Sequence, residues 1–215
     1  MYISRQKLKD SLKKPLPGSH AFKRLAPAYR LDQLANEMPV PADAKKSAVM
    51  ILFFHQDLKL KVICIRRSNY VGIHAGQIAF PGGRFEAEDI TVEHTALRET
   101  YEEIGIASDK IELLGRLSDI YVPPSNFLIS VFVGFLNEQP GFKPDYSEVA
   151  EIIEIDFEEL LHPNAIQMGN FFVPSVNHTI EAPCYSTSTC QIWGATAMVM
   201  SELIEIITDD SIKTQ

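Results

Sequence analysis

The order of apolar segments in this chain predicts a mixed α/β domain: one mixed β-sheet with helices on its faces. A continuous apolar run, Ala48-Val49-Met50-Ile51-Leu52-Phe53-Phe54, has the texture of a central strand. An acid-rich stretch over residues 92–104 repeats with a helical period, Val92, Ala96, Thr100 and Ile104 forming one stripe. Further strand-like segments and a final helical segment follow it. Strands interleaved with helices favour a layered α/β architecture. At 215 residues the chain is long enough for one sizeable core and short for two domains.

Taken in order, residues 1–46 read as a helical, loop-rich lead-in broken by Pro15, Pro17, Pro27, Pro39 and Pro41, and residues 47–215 as the domain proper. The first 14 residues carry Arg5, Lys7, Lys9, Lys13 and Lys14 and lack the apolar core of a signal peptide. Their expected fate is packing on the domain or on a partner copy in a homodimer. After the first strand, His55-Gln56-Asp57 makes a turn and residues 58–65 the paired strand, with a short third strand at 77–80. Pro81-Gly82-Gly83 reads as a glycine turn. The acidic helix takes Thr91 as its N-cap and Gly105 as its stop, the stripe facing the core and the glutamates outside. Strands are expected near 111–117, 127–136 and 151–155, with a loop at Pro123-Pro124-Ser125-Asn126. A short helix is expected at 157–161 and a hairpin at 170–175 and 180–186. The last helix spans 195–207, with Ala197, Met200, Ile204 and Ile207 on one side. The chain shows no internal repeat or low-complexity segment.

Composition narrows the function. Hydrophobic residues make up 46% and charged residues 22%, an ordinary globular balance. The net charge of −8 disfavours nonspecific nucleic-acid binding, so an activity on phosphates needs a metal or a few local basic residues. The expected partner is a small molecule. No apolar run approaches the roughly 20 residues that span a bilayer, so no stable membrane association is expected. Three cysteines, Cys64, Cys184 and Cys190, with no C-x-x-C spacing, read as free thiols in a reducing cytoplasm.

The chemistry concentrates in Arg98-Glu99-Thr100-Tyr101-Glu102-Glu103-Ile104-Gly105. On a helix Glu99, Glu102 and Glu103 share a face, where like charges repel by about 0.2–0.5 kcal/mol per pair. A hard divalent cation such as Mg²⁺ converts that repulsion into a site. Arg98 stands one turn before Glu102 and can hold its carboxylate. A solvated acidic face is the bland alternative, but here a strand and a glycine loop lead into the helix and a glycine ends it.

This compound pattern resembles the Nudix box: a glycine, five residues, an acid, seven residues, then Arg-Glu-aliphatic-x-Glu-Glu-x-Gly-aliphatic. Gly83, Arg98, Glu99, Glu102, Glu103, Gly105 and Ile106 match. Asp89 replaces the usual Glu with eight instead of seven residues between it and Arg98, and Thr100 replaces the aliphatic position. The resemblance implies an α/β/α sandwich around a mixed sheet and hydrolysis of nucleoside-diphosphate-linked substrates with Mg²⁺ or Mn²⁺. Glu99, Glu102 and Glu103 would share the roles of metal ligand and base. Gly83 would offer its carbonyl and Arg98 would support Glu102. Asp89 and Glu86 would serve as cap, salt bridge or outer support of the metal. Glu148 is balanced between a catalytic acid on a loop and the start of a strand.

Arg67-Ser68 and His74-Ala75-Gly76-Gln77-Ile78-Ala79-Phe80-Pro81-Gly82-Gly83 further resemble the signature of the coenzyme A pyrophosphatases, as do Glu148-Val149 and Ile192-Trp193-Gly194-Ala195-Thr196-Ala197. This resemblance implies cleavage of coenzyme A to 3′,5′-ADP and 4′-phosphopantetheine. Arg67, His74 and Gln77 become substrate contacts, with Arg67 as the candidate reader of the 3′-phosphate. For His74 the competing role is holding its loop by a hydrogen bond. For Trp193, stacking an adenine competes with core packing. Gly72, Val131 and Asn126 depart from the subgroup pattern, Gly72 where a basic residue is frequent. The alternatives are a Nudix hydrolase acting on ADP-ribose, a dinucleotide or a noncanonical nucleotide, and a Nudix-fold sensor without turnover.

Overall fold

In the computed structural model of the chain, residues 2–36, 38–68, 74–173 and 177–208 are described. Gly72 and Ser175 lie outside them. The first helices are α1 (Arg5–Ser11), α2 (Ser19–Phe22) and α3 (Ala28–Ala35). Then come β1 (Lys45–Gln56), β2 (Lys59–Arg67), β3 (Ile78–Ala79), β4 (Gly82–Arg84) and the acidic helix α4 (Val92–Ile104). The second half runs β5 (Ile111–Arg116), β6 (Ile120–Val122), β7 (Phe127–Leu136), β8 (Val149–Asp156), α5 (Phe157–Leu160), β9 (Ile166–Val173), β10 (His178–Ser186), β11 (Gln191–Trp193) and α6 (Gly194–Thr208).

The main sheet has eight strands along the path β3-β2-β1-β7-β5, with β4 on β1, β6 on β7 and β8 on β2. It is mixed: β1 runs parallel to β7, from Lys45 opposite Phe127 to Phe54 opposite Leu136, while its pairings with β2 and β4 are antiparallel. β1 is apolar without interruption from Ala48 to Phe54 because both faces of the sheet are covered there. Met50, Leu52 and Phe54 join Ala96 and Ile104 of α4 in one apolar cluster, and Ile51 and Phe53 join Ala197, Met200 and Leu203 of α6 in the other. The two helices thus lie on opposite faces, an α/β/α sandwich. Each such Leu, Ile or Phe contributes about 1.5–3 kcal/mol by leaving water.

The helical stripe of α4 is buried at Ala96, Thr100 and Ile104, but Glu103 is buried as well, at 1% exposure. Backbone and side-chain donors inside the fold receive its carboxylate, so the glutamates do not all lie outside. α6 is buried far beyond one side: Met198, Val199, Ser201, Glu202 and Ile206 join the expected stripe. The N-terminal segment and the small sheet cover its other flanks, since Leu8, Phe22 and Leu25 share its cluster with Tyr185 and Ile192. That small antiparallel sheet, β11-β10-β9, contains the expected hairpin and adds a strand to it. The expected third strand contracts to two residues, and the glycine turn continues into β4, which pairs with β1. No helix among the described residues is long and apolar enough to cross a membrane.

Glu202 fastens the N-terminal segment to this core. Its side chain on α6 is fully buried and accepts hydrogen bonds from the Gly18 N–H (2.8 Å), the Ser118 N–H (3.0 Å) and the Ser118 hydroxyl (2.6 Å). Truncating it strands partly buried donors at up to about 1–3 kcal/mol each, so Glu202→Ala is expected to cost about 3 kcal/mol. Equilibrium urea denaturation checks this, and a loss well under 1 kcal/mol would show that Glu202 holds nothing in place.

Candidate active site

The site begins where β4 meets α4. Thr91 caps the helix by accepting from the His94 N–H at 3.2 Å. Gly105 ends it at φ 76°, a left-handed conformation that glycine adopts without strain. Arg98 is the hub of the outer side. Its Nε and Nη2 donate to the two oxygens of Asp89, both at 3.0 Å, and Nη2 donates also to the Arg84 carbonyl at 3.0 Å. Its Nη1 donates to Glu99 at 3.0 Å and Glu102 at 2.8 Å. Asp89 is buried and also accepts from the Glu86 N–H and the Thr95 hydroxyl. The Arg98 fork, reinforced by these two donors, holds the Asp89 carboxyl well below the usual carboxylate range. Asp89 therefore stands as the salt-bridge partner that orients Arg98, and Arg98 in turn orients two glutamates.

The inner side is a carboxylate cluster. Glu99, Glu103 and Glu148 each bring one oxygen within 4.8 Å of the others. Glu102 is held outside this group by Arg98, with its side chain 53% exposed. Glu148 arrives because the segment before β8 is tied to the end of α4: the Lys143 N–H donates to the Ile104 carbonyl and the Asp145 N–H to the Glu103 carbonyl. The Ser68 N–H, at the end of β2, takes the Glu148 carbonyl at 2.8 Å. Gly83 is required by close approach: a Cβ there would stand 2.3 Å from a carboxylate oxygen of Glu99.

Glu103 receives the Gly82 N–H at 2.8 Å and Arg67 Nη1 at 3.3 Å. Burial nevertheless pushes its carboxyl up to about 8; Arg67 and the Gly82 N–H pull it down, and Glu99 and Glu148 add repulsion. Glu99 is raised by burial first, with Arg98 opposing. Hard oxygens converging in a partly desolvated cluster fit a hard divalent cation, whose charge would offset both penalties.

Beside the cluster lies a cavity of about 370 Å³, lined among others by Gly83, Arg67, His74, Gln77 and Trp193. Arg67 and Arg66 separate as strand alternation predicts: Arg67 reaches Glu103, while Arg66 pairs with Glu151 outside. His74 Nδ1 lies 3.0 Å from Gln77 Oε1, so the two form one unit on the cavity wall. Trp193 stacks on Phe171 at 4.7 Å between ring centroids and also lines the cavity. Cys64 is buried, and desolvation pushes its thiol up, away from nucleophilic use. Tyr29, Arg30 and Ser47 also line the cavity, and sequence reasoning did not single them out.

A glycine loop, an acidic helix with its Arg hub, and a carboxylate cluster on a mixed sheet define a Nudix hydrolase. The NUDIX domain model matches residues 44–173, and the chain belongs to that family, whose members generally act with divalent metals on nucleoside-diphosphate-linked substrates. It is 32% identical over 144 residues to the Nudix hydrolase NudL of Yersinia enterocolitica, covering 67% of this chain and 72% of the relative. It is 27% identical over 180 residues to Nudix hydrolase 3 of Caenorhabditis elegans, covering 77% and 75% respectively. A MutT/nudix family protein from Enterococcus faecalis shares the fold at a TM-score of 0.51 and 17% identity, over 99% of this chain and 76% of that one.

The Asp89–Arg98 pair carries a pH signature. A carboxyl titrating lower in the folded than in the unfolded chain contributes stability that is complete above the unfolded value, near 4, and fades as pH falls below it. Asp89→Asn is expected to lose about 2 kcal/mol at pH 7, because one partner of a largely buried pair is removed. The gap to the parent should narrow at pH 3, measured by urea denaturation at both values. A gap of equal size at both would disconnect Asp89 ionisation from the pair.

Proposed function

We propose that this chain hydrolyses the phosphoanhydride of coenzyme A or its derivatives, releasing 3′,5′-ADP and 4′-phosphopantetheine. The observation that carries this reading is that Arg67, His74, Gln77 and Gly83, all in the stretch resembling coenzyme A pyrophosphatases, line the cavity beside the carboxylate cluster. Glu99, Glu103 and Glu148 would hold Mg²⁺ or Mn²⁺, with Glu102 and the Gly83 carbonyl as further oxygen donors on the same helix and strand. When bound, such an ion supplies positive charge against the phosphates and acidifies water.

The chain's own groups supply the rest. Water adds to one phosphorus, the bond from that phosphorus to the bridging oxygen breaks, and the water's proton passes to a carboxylate of the glutamate set. Glu103, raised toward neutrality by burial, is suited to exchange a proton in this pH range. Arg67 Nη1, already beside Glu103 and the Gly82 carbonyl, places a guanidinium where diphosphate oxygens enter. Arg98 and Asp89 keep Glu99 and Glu102 in orientation. The His74–Gln77 unit forms the wall that the remainder of the substrate passes.

A substrate panel with product identification tests this. With Mg²⁺ or Mn²⁺, kcat/KM is expected to be highest for coenzyme A or its acyl and oxidised forms. Excess chelator should abolish turnover. Glu103→Gln should lower kcat by about 10²-fold, the scale of losing a positioned proton acceptor. A clear preference for ADP-ribose or a nucleoside triphosphate would overturn the substrate. Full turnover in chelator would overturn the metal.

A further inference from the structure

Arg30 is a nearly buried cation outside the carboxylate cluster. It lies on α3, is 5% exposed, and lines the same cavity as Gly83 and Arg67. Its Nη2 donates to the Tyr121 carbonyl at 2.7 Å, while its Nε is buried without a hydrogen-bond partner. Among the described residues no carboxylate pairs with it. Arginine stays charged, so a nearly buried cation lines a cavity whose wall also holds Val49, Ile120, Val122 and Ile129, and among the described residues no carboxylate offsets it. A second orphan shares the cavity: the Ser47 hydroxyl, on a residue 7% exposed, is buried and also lacks a partner. Buried polar groups are ordinarily partnered, and these two are not.

The other basic residues of the wall are accounted for. Arg67 is engaged with Glu103 and the Gly82 carbonyl, which assigns it to the scissile diphosphate. Arg84 is exposed and keeps its water. On the reading of the substrate given above, a nucleotide-linked molecule with a third phosphate needs a separate reader.

We propose that Arg30 is a specificity-determining residue of this cavity, taking a phosphomonoester of the substrate outside the scissile anhydride, with the Ser47 hydroxyl as a further donor to the bound molecule. The guanidinium fork matches a phosphate in shape and charge, and its fixed bond to the Tyr121 carbonyl preorganises it. The lead-in to the domain, through α3, then contributes to substrate choice.

The test uses the full chain in chelator, so that no turnover occurs, and titrates adenosine 3′,5′-bisphosphate against 5′-AMP by calorimetry. The parent is expected to bind the bisphosphate at least tenfold more tightly. Arg30→Gln should reduce that preference to threefold or less, and Arg30→Lys should keep part of it. Equal affinity of the parent for both nucleotides, no binding of either, or an undiminished preference in Arg30→Gln overturns the proposal. Thermal melts check that both variants fold; if the Gln variant does not, the parent's own preference and its partial reduction in Arg30→Lys support the proposal, and an undiminished preference in Arg30→Lys overturns it. Coenzyme A turnover is assayed separately. Turnover without the bisphosphate preference refutes the role of Arg30 and leaves the hydrolase reading. The preference without turnover refutes coenzyme A as the substrate and leaves the role of Arg30.

Discussion

A carboxylate at 1% exposure must be received by donors, and in this fold the arrangement of strand, loop and helix is organised around Glu103. The donor that reaches it most closely is the backbone N–H of Gly82, at 2.8 Å, which is available only because β4 lies directly on β1. Gly82 achieves this at φ 153°, and a Cβ there would stand 2.3 Å from the Ala48 carbonyl oxygen. The neighbouring Gly83 lets the Glu99 carboxylate rest against its Cα. The two glycines therefore do different work: one permits the strand to dock, the other permits a carboxylate to approach. Arg67 completes the enclosure from β2.

Around this centre the site has two electrostatic tiers. Outside, Asp89 holds Arg98, which spans Glu99 and Glu102. Inside, Glu99, Glu103 and Glu148 face one another, and Arg98 on Glu99 and Arg67 on Glu103 offset only part of their repulsion. One ionised carboxylate is thus spent on fixing an arginine, and that arginine fixes the orientation of the others. Repulsion among the inner group, left partly uncompensated, is what makes a cation favourable there. Packing makes the arrangement rigid: Ala96 and Ile104 anchor α4 to β1 through Met50, Leu52 and Phe54, so the charged face of the helix cannot turn away.

What the sequence could reveal depended on the range of the interaction. β7 spans the same residues as expected, and β1, α4 and α6 fall close to their expected bounds, because long apolar runs and helical stripes report burial directly. β4, β6 and β11 are three-residue strands, too short to carry an alternation. The Arg98–Glu102 pair was legible because it is one helical turn long. The place of Glu148 was left open, since it depends on how residues 143–149 pass the end of α4. Burial of Glu103 depends on β4, and an acid-rich pattern alone does not distinguish a solvated glutamate from an enclosed one. Arg30 gave no signal: its isolation follows from where α3 packs, and the prolines around it read only as loop.

On the proposed function, burial rather than sequence pattern would make Glu103 the group of the site that responds to protons and to a cation. Carbon-detected NMR of side-chain-labelled glutamate, titrated without metal and again with saturating Mg²⁺, tests it directly. Without metal, the Glu103 carboxyl is expected to titrate near about 8, and with metal to move well below that value as the cation stabilises the ionised form. A Glu103 titrating in the ordinary carboxylate range near about 4.3 in both conditions would contradict the account.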